Sequence, residues 1–232
     1  MKIKRAIILA AGRGSRLEEL TKNNPKCLLF VKNQPVIERI IEVLKAKKID
    51  DIIVVTGYKY EKLQYLKNKY NVKIVNNVCW ENSNSIVSMY FARRYLNKNL
   101  LVIDSDIYVN KSSIIQTDIK KSGYTVVDVY RPTEWQFHFD ENDNVSLVDF
   151  NADEKSLPIL DISYWRKKDI KKISRYIKNQ VYQNINNRYR DEIPCFDLVK
   201  QLDMKVYHIS EDDAIEFDTK EELFQLRRKV ND

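Results

Sequence analysis

The residues best suited to chemistry lie near the N-terminus. There Leu9-Ala10-Ala11-Gly12-Arg13-Gly14-Ser15-Arg16-Leu17 is followed by Asn24-Pro25-Lys26. Two closely spaced glycines let backbone N–H groups approach an anion, and Arg13, Arg16 and Lys26 bring positive charge. The chain holds only four glycines, where average usage is roughly 7%. Half of that supply sits at this one spot, so a plain β-turn with surface arginines is the weaker reading. Leu17 stands where a dinucleotide-binding G-x-G-x-x-G would need its third glycine, and no G-x-x-x-x-G-K-[ST] loop is present.

Acidic residues are the second group. Asp104 and Asp106 follow the apolar run Leu100–Ile103. Two residues apart, they project to one face if the strand continues, and one or both could reach a metal. Acids after a strand also simply open polar loops, Asp104 more readily than Asp106. Asp218-Thr219 precedes a helical stretch, where such a pair usually caps the helix. A third group is aromatic: Tyr130, Trp135, Tyr164, Trp165 and Tyr189. Aromatic faces beside a carboxylate suit an ammonium, although aromatics on strands more often fill a core. His138 and His208 are the only histidines, both in β-like stretches, and are read as structural. Cys27, Cys79 and Cys195 form no C-x-x-C pair. A zinc cluster or disulfide framework is thereby disfavoured and a reducing cytoplasm expected.

The elements that must position these groups alternate in the first half. Ile3–Ala10, Asp51–Thr56 and Leu100–Asp104 are short apolar runs of the kind buried on both faces of a sheet. Val72–Val75 adds a further strand. Val36–Lys48, Lys62–Tyr70 and Ser85–Leu96 have helical periodicity. The order predicts an α/β fold with a doubly wound, mostly parallel sheet and helices on both faces. The second half reads as strands over Tyr124–Tyr130, Gln136–Phe139, Val145–Phe150, Leu157–Tyr164 and Lys205–Ile209. Helices are expected over Ile170–Gln180, Asp191–Gln201 and Lys220–Lys229. One mixed domain is expected, in which residues 1–123 bind a nucleotide-like anion and 124–232 build the acceptor side.

Composition agrees. The 232 residues are 44% hydrophobic and 31% charged, enough for a core and a solvated surface and unlike a disordered or fibrous chain. No apolar run approaches the roughly 18 residues of a membrane span. The basic start and short apolar run lead directly into Arg13 and Arg16, so they read as a strand and not a signal peptide. The net charge of +7 is spread among acids. It suits an anionic substrate and lacks the basic stripe of a nucleic-acid binder.

Ile8–Leu17 (ILAAGRGSRL) with Pro25-Lys26 resembles the signature of nucleotidyltransferases that activate phosphorylated small molecules with NTP. Over nearly the whole chain the likeness is to small bacterial choline-phosphate cytidylyltransferases. The matching stretches are Pro35–Glu38, Val55–Tyr58, Asn84–Met89, Val102–Asp106, Thr133–Trp135, Ile162–Trp165 and Ile215–Thr219. The resemblance implies a single Rossmann-like nucleotidyltransferase domain. It implies that the backbone of Leu9, Ala10, Ala11 and Gly12 and the side chains of Asn84 and Ser88 hold cytosine and ribose. Gly14, Ser15, Arg16 and Lys26 would hold the triphosphate, and Asp106 and Asp218 would bind Mg²⁺. Arg16, Lys26, Asp106 and Asp218 would be the catalytic set. Tyr130, Trp135, Asp161 and Tyr189 would face the acceptor, a small phosphorylated amino alcohol such as phosphocholine. Ser85 and Val87 replace the family's usual asparagine and tyrosine. Asp161 stands where glycine is usual, and Arg190 where tryptophan is. A sugar 1-phosphate or 2-aminoethylphosphonate acceptor is an alternative; a non-catalytic nucleotide-binding regulator would have lost the metal acids.

Overall fold

The computed structural model describes residues 2–129, 134–149, 156–183, 198 and 201–231. In chain order its elements are β1 (Arg5–Ala10), the short hairpin β2 (Phe30–Val31) and β3 (Gln34–Pro35), α1 (Val36–Ala46) and β4 (Asp51–Thr56). Then come α2 (Tyr65–Tyr70), β5 (Lys73–Asn76), α3 (Ser85–Phe91), β6 (Leu100–Asp104), β7 (Ile107–Val109) and β8 (Ser122–Val127). The remainder is β9 (Gln136–Phe139), β10 (Val145–Asp149), β11 (Ser156–Trp165), α4 (Lys167–Gln183), β12 (Met204–Ile209), β13 (Ala214–Glu216) and α5 (Lys220–Asn231).

β1 lies between β4 and β6, parallel to both, and β5 continues the parallel side next to β4. β11 joins antiparallel to β6 and carries β9 and β8, and β12 runs parallel to β8. The result is one mixed nine-stranded sheet. Side chains of β1 alternate in direction, as strands require. Ala6 and Ile8 face a core shared with Ile37, Ile41 and Leu44 of α1 and Leu223 and Leu226 of α5. Ile7 faces the opposite core, shared with Ile86 and Met89 of α3 and Ile170, Ile173 and Ile177 of α4. Helices therefore cover both faces, as the alternation predicts.

Several boundaries differ from the sequence reading. β1 starts at Arg5; Ile3 is buried outside it, its N–H donating to the Thr117 carbonyl at 2.8 Å. The expected helix over 62–70 begins instead with a 3-10 turn, Tyr60–Leu63, ahead of α2. α3 stops at Phe91 and gives way to a 3-10 turn at Arg93–Tyr95. β11 and α4 run past both expected ends. The three-residue pair β7–β13 is a strand pair the sequence reading lacks. The helix expected over Asp191–Gln201 lies almost wholly outside the described residues. No helix among the described residues is long and apolar enough to cross a membrane.

Candidate active site

In open α/β sheets ligands bind beyond the carboxyl ends of the strands. Here Leu9 pairs with Asp104, and Ala10 with Thr56, at the ends of β1, β6 and β4. Gly14 takes φ +70°, a left-handed conformation that favours glycine. Its carbonyl accepts from the Leu17 N–H at 3.0 Å and the Thr21 hydroxyl at 2.9 Å, which turns the chain into a 3-10 helix, Ser15–Thr21. Gly57, after β4, serves close approach: a Cβ there would lie 2.7 Å from the Ala11 carbonyl oxygen and 2.5 Å from Trp80 Cβ.

A cavity of about 310 Å³ opens on this loop. Leu9, Ala11, Gly12, Gly14, Ser15, Arg16, Lys26, Asn84, Ser88, Asp106 and Asp218 all line it. Of the expected nucleotide and metal residues only Ala10 does not; its side chain is in the core beneath. Arg13 also leaves the lining and leans over the Tyr58 ring, 5.7 Å from its centre.

Lys26 is buried, yet its ammonium donates to Asp106 Oδ2 at 2.8 Å and Asp218 Oδ1 at 2.7 Å. Burial pushes Lys26 toward its neutral form, and the two carboxylates outweigh that and raise its pKa. Arg16, itself exposed, holds the other Asp218 oxygen at 2.7 Å. Asp218 is not the helix cap. Thr219 takes that role: its Oγ1 accepts from the Glu222 N–H at 3.2 Å, while Glu222 Oε2 accepts from the Thr219 N–H at 2.9 Å. The cap leaves the Asp218 carboxylate to the site.

Asp106, Glu216 and Asp218 place ligand oxygens within 4.8 Å of one another. Glu216 is absent from the sequence-predicted site. The available signal is alternation, since Glu216 and Asp218 are two apart and share a face where β13 ends. Asp106 Oδ1 is buried without a hydrogen-bond partner. An orphaned carboxylate oxygen in an all-oxygen group fits a hard divalent cation such as Mg²⁺. Burial, then the neighbouring Asp161, Asp106 and Glu216, push Asp104 well above the usual carboxylate range. Burial, then Asp106, Asp161 and Asp218, do the same to Glu216.

Asn77, Trp80 and Ser83 also line the cavity and are absent from the sequence reading. Buried Asn77 follows β5 and donates to Ser83 Oγ at 3.2 Å and Ser88 Oγ at 3.1 Å. Asn84 is the N-cap of α3, its Oδ1 accepting from the Ile86 N–H at 3.2 Å.

Asp161, expected on the acceptor side, lines a second, smaller cavity of about 20 Å³ with Tyr124, Ser163 and Trp165. It shares Leu9, Ser85 and Asp104 with the first. Trp135 lines neither cavity and is exposed ahead of β9. Tyr164 is core, its hydroxyl donating to the Ile114 carbonyl at 3.1 Å. Tyr130 and Tyr189 lie outside the described residues. His208, which lines neither cavity, pairs with Asp128 at 2.7 Å and Asp143 at 3.2 Å.

The family model described as the MobA-like NTP transferase domain matches residues 6–179, well over half the chain. The chain belongs to this family and is a nucleotidyltransferase. The choline-phosphate cytidylyltransferase of Streptococcus pneumoniae is 35% identical over 227 residues, 96% of each chain. That of Haemophilus influenzae is 30% identical over 229 residues, 97% of each. The solved structure of the pneumococcal CTP:phosphocholine cytidylyltransferase LicC has a TM-score of 0.87 at 35% identity, covering 98% of this chain and 99% of that one.

Proposed function

We propose that the protein transfers CMP from CTP to a small phosphorylated amino alcohol, phosphocholine or a close analogue. One observation carries this reading: the glycine loop, Arg16, Lys26, Asp106 and Asp218 line one cavity at the carboxyl ends of β1 and β6, with Glu216 clustered against the two aspartates. The likeness to two choline-phosphate cytidylyltransferases over nearly the full chain supports it.

In the proposed reaction a phosphate oxygen of the acceptor attacks the α-phosphorus of CTP. The new P–O bond forms as the bond to pyrophosphate breaks, and the electron pair leaves with pyrophosphate. The nucleophile is already anionic, because a phosphate monoester has its second pKa near 6. No general base is required, and neither histidine is among the residues lining the cavities. What the reaction needs is two anions held together, so positioning and charge neutralisation dominate. The loop backbone and Ser15 orient the triphosphate, and Arg16 and Lys26 offset charge that grows on the departing pyrophosphate. Asn84 and Ser88, the latter fixed by Asn77, orient the nucleoside. Asp106 and Asp218, with Glu216, would hold Mg²⁺, which when bound supplies further neutralisation of the phosphates. Residues 124–232 provide the acceptor half, with Asp161 beside the amine; Trp135, outside both cavities, is not part of this set. The enzyme works in the cytoplasm, and its product serves cell-surface polysaccharide assembly.

Asp161 favours a second reading of the acceptor. It lines the smaller cavity, and a carboxylate accepts hydrogen bonds that a primary ammonium gives and a trimethylammonium cannot. The test is pyrophosphate release with four NTPs against phosphocholine, phosphoethanolamine, 2-aminoethylphosphonate and sugar 1-phosphates. CTP with a cationic acceptor is the expected pair. Turnover on sugar 1-phosphates alone overturns the reading.

A further inference from the structure

Lys26 stands in an unusual place for a phosphate-binding residue. Its ammonium bridges Asp106 Oδ2 and Asp218 Oδ1 at 2.8 and 2.7 Å. These are two of the three side chains whose ligand oxygens cluster within 4.8 Å. The second oxygen of Asp218 is occupied as well, by Arg16 at 2.7 Å. Two loop cations thus already neutralise the group read as the metal site.

The lysine stem is closely confined. A Cβ added to Gly14 would come within 2.9 Å of Lys26 Cβ and 3.1 Å of its Cδ, so the stem runs directly against the loop. The Phe217 ring lies under the ammonium, 5.2 Å from centre to nitrogen. Lys26 lines the same open cavity as Gly12, Gly14, Asp106 and Asp218, and the terminal torsions of a lysine can turn its head without moving the stem.

We propose that Lys26 is a built-in counter-ion which occupies the divalent-cation position between Asp106 and Asp218 and passes to the nucleotide phosphates when the metal arrives. The inference rests on the reading of Asp106 and Asp218 as metal ligands. Its physical basis is simple. An ammonium and a divalent cation cannot share the same two carboxylate oxygens, since cations so close repel strongly. The displaced ammonium is buried and must find another anion. The triphosphate above the glycine loop supplies one. Metal and nucleotide therefore bind cooperatively, each favouring the Lys26 position that the other needs, and the coupling is reciprocal. Metal alone must evict Lys26 without compensation and binds weakly.

The test is direct Mn²⁺ binding, measured by electron paramagnetic resonance without nucleotide, for wild type, Lys26→Met and Lys26→Gln. Each variant is repeated with Asp106→Asn to identify the site. Both Lys26 variants are expected to bind Mn²⁺ about tenfold or more tightly than wild type, within the roughly 5- to 150-fold span of ordinary coupling. Adding Asp106→Asn abolishes the gain. The metal-free Lys26 variants unfold at lower temperature than wild type, and Mn²⁺ alone restores them. Either variant, if folded, suffices. Wild type binding Mn²⁺ as tightly as the Lys26 variants overturns the exchange while leaving the metal reading intact. Absence of any Mn²⁺ site sensitive to Asp106→Asn, with or without CTP, removes the metal reading itself.

Discussion

Asp106 and Asp218 are set apart from the other acids by what surrounds them: a buried ammonium between them and a third carboxylate beside them. Asp106→Asn and Asp218→Asn should each lower kcat far more than they raise KM for the acceptor. Near wild-type turnover at saturating Mg²⁺ in either variant removes that residue from the metal set. Lys26→Ala and Arg16→Ala should retain native circular dichroism and lose turnover. Charge-assisted contacts are worth about 1.5–3 kcal/mol each, or roughly ten- to a hundredfold in rate; an unchanged kcat/KM refutes the phosphate cradle. Asp161 makes a separate prediction. Across phosphoethanolamine, its N-methyl and N,N-dimethyl derivatives and phosphocholine, kcat/KM should fall as N–H groups are lost. Asp161→Gly should flatten or reverse the trend while KM for CTP stays unchanged. A flat wild-type series with active phosphocholine refutes the role of Asp161 and leaves the cytidylyltransferase reading standing.

At the scale of elements, the parallel strands and α1 were legible because their signals are local. Apolar runs such as Asp51–Thr56 and the spacing of Ile37, Ile40, Ile41 and Leu44 need no knowledge of distant chain. The β7–β13 pair was not legible, because three-residue strands carry no period and their partners are far apart in sequence. Glu216 was missed for the same reason, since the pairing of Glu216 with Ile107 brings it beside Asp106 from far along the chain. Asn77 and Trp80 were missed because nothing local distinguishes them from ordinary loop residues. Asp218-Thr219 was half legible: a cap is present, but the threonine provides it. The capping box allows a test of how far the helix start serves the site. Thr219→Ala and Glu222→Ala should each cost about 1 kcal/mol of stability. Because Glu222 also accepts from the Asp218 N–H, Glu222→Ala should lower kcat as well. A stability loss with full turnover would show that α5 supports the fold without positioning Asp218.

Across the whole molecule, the two ends of the parallel sheet do different work. The carboxyl end gathers acids and cations around an open cavity; the amino end is tied shut. Arg5 at the start of β1 pairs in register with Asp51 at the start of β4. Its guanidinium reaches Asp51 Oδ2 at 2.7–2.8 Å and the Tyr95 carbonyl at 2.6 Å. Lys73 and Lys98 hold the same carboxylate at 2.6 and 3.1 Å. Burial pushes the Asp51 carboxyl up, but hydrogen bonds from Lys73, Arg5 and Lys98 outweigh it and hold it far below the usual carboxylate range. The native protein therefore binds this proton less readily than the unfolded chain does. That stabilisation is present in full above the unfolded carboxyl value of about 3.9 and is lost as pH falls below it. Asp51→Asn leaves Arg5, whose side chain is only 8% exposed, without its carboxylate. Breaking a fully buried pair costs about 3–5 kcal/mol. Asp51 keeps 20% of its surface in water, so about 2 kcal/mol is expected at neutral pH. In urea titrations of wild type and Asp51→Asn, the gap should hold from pH 7 to 5 and narrow steadily below about pH 4. A gap that does not narrow in acid would place the loss in packing and not in the ionised carboxylate.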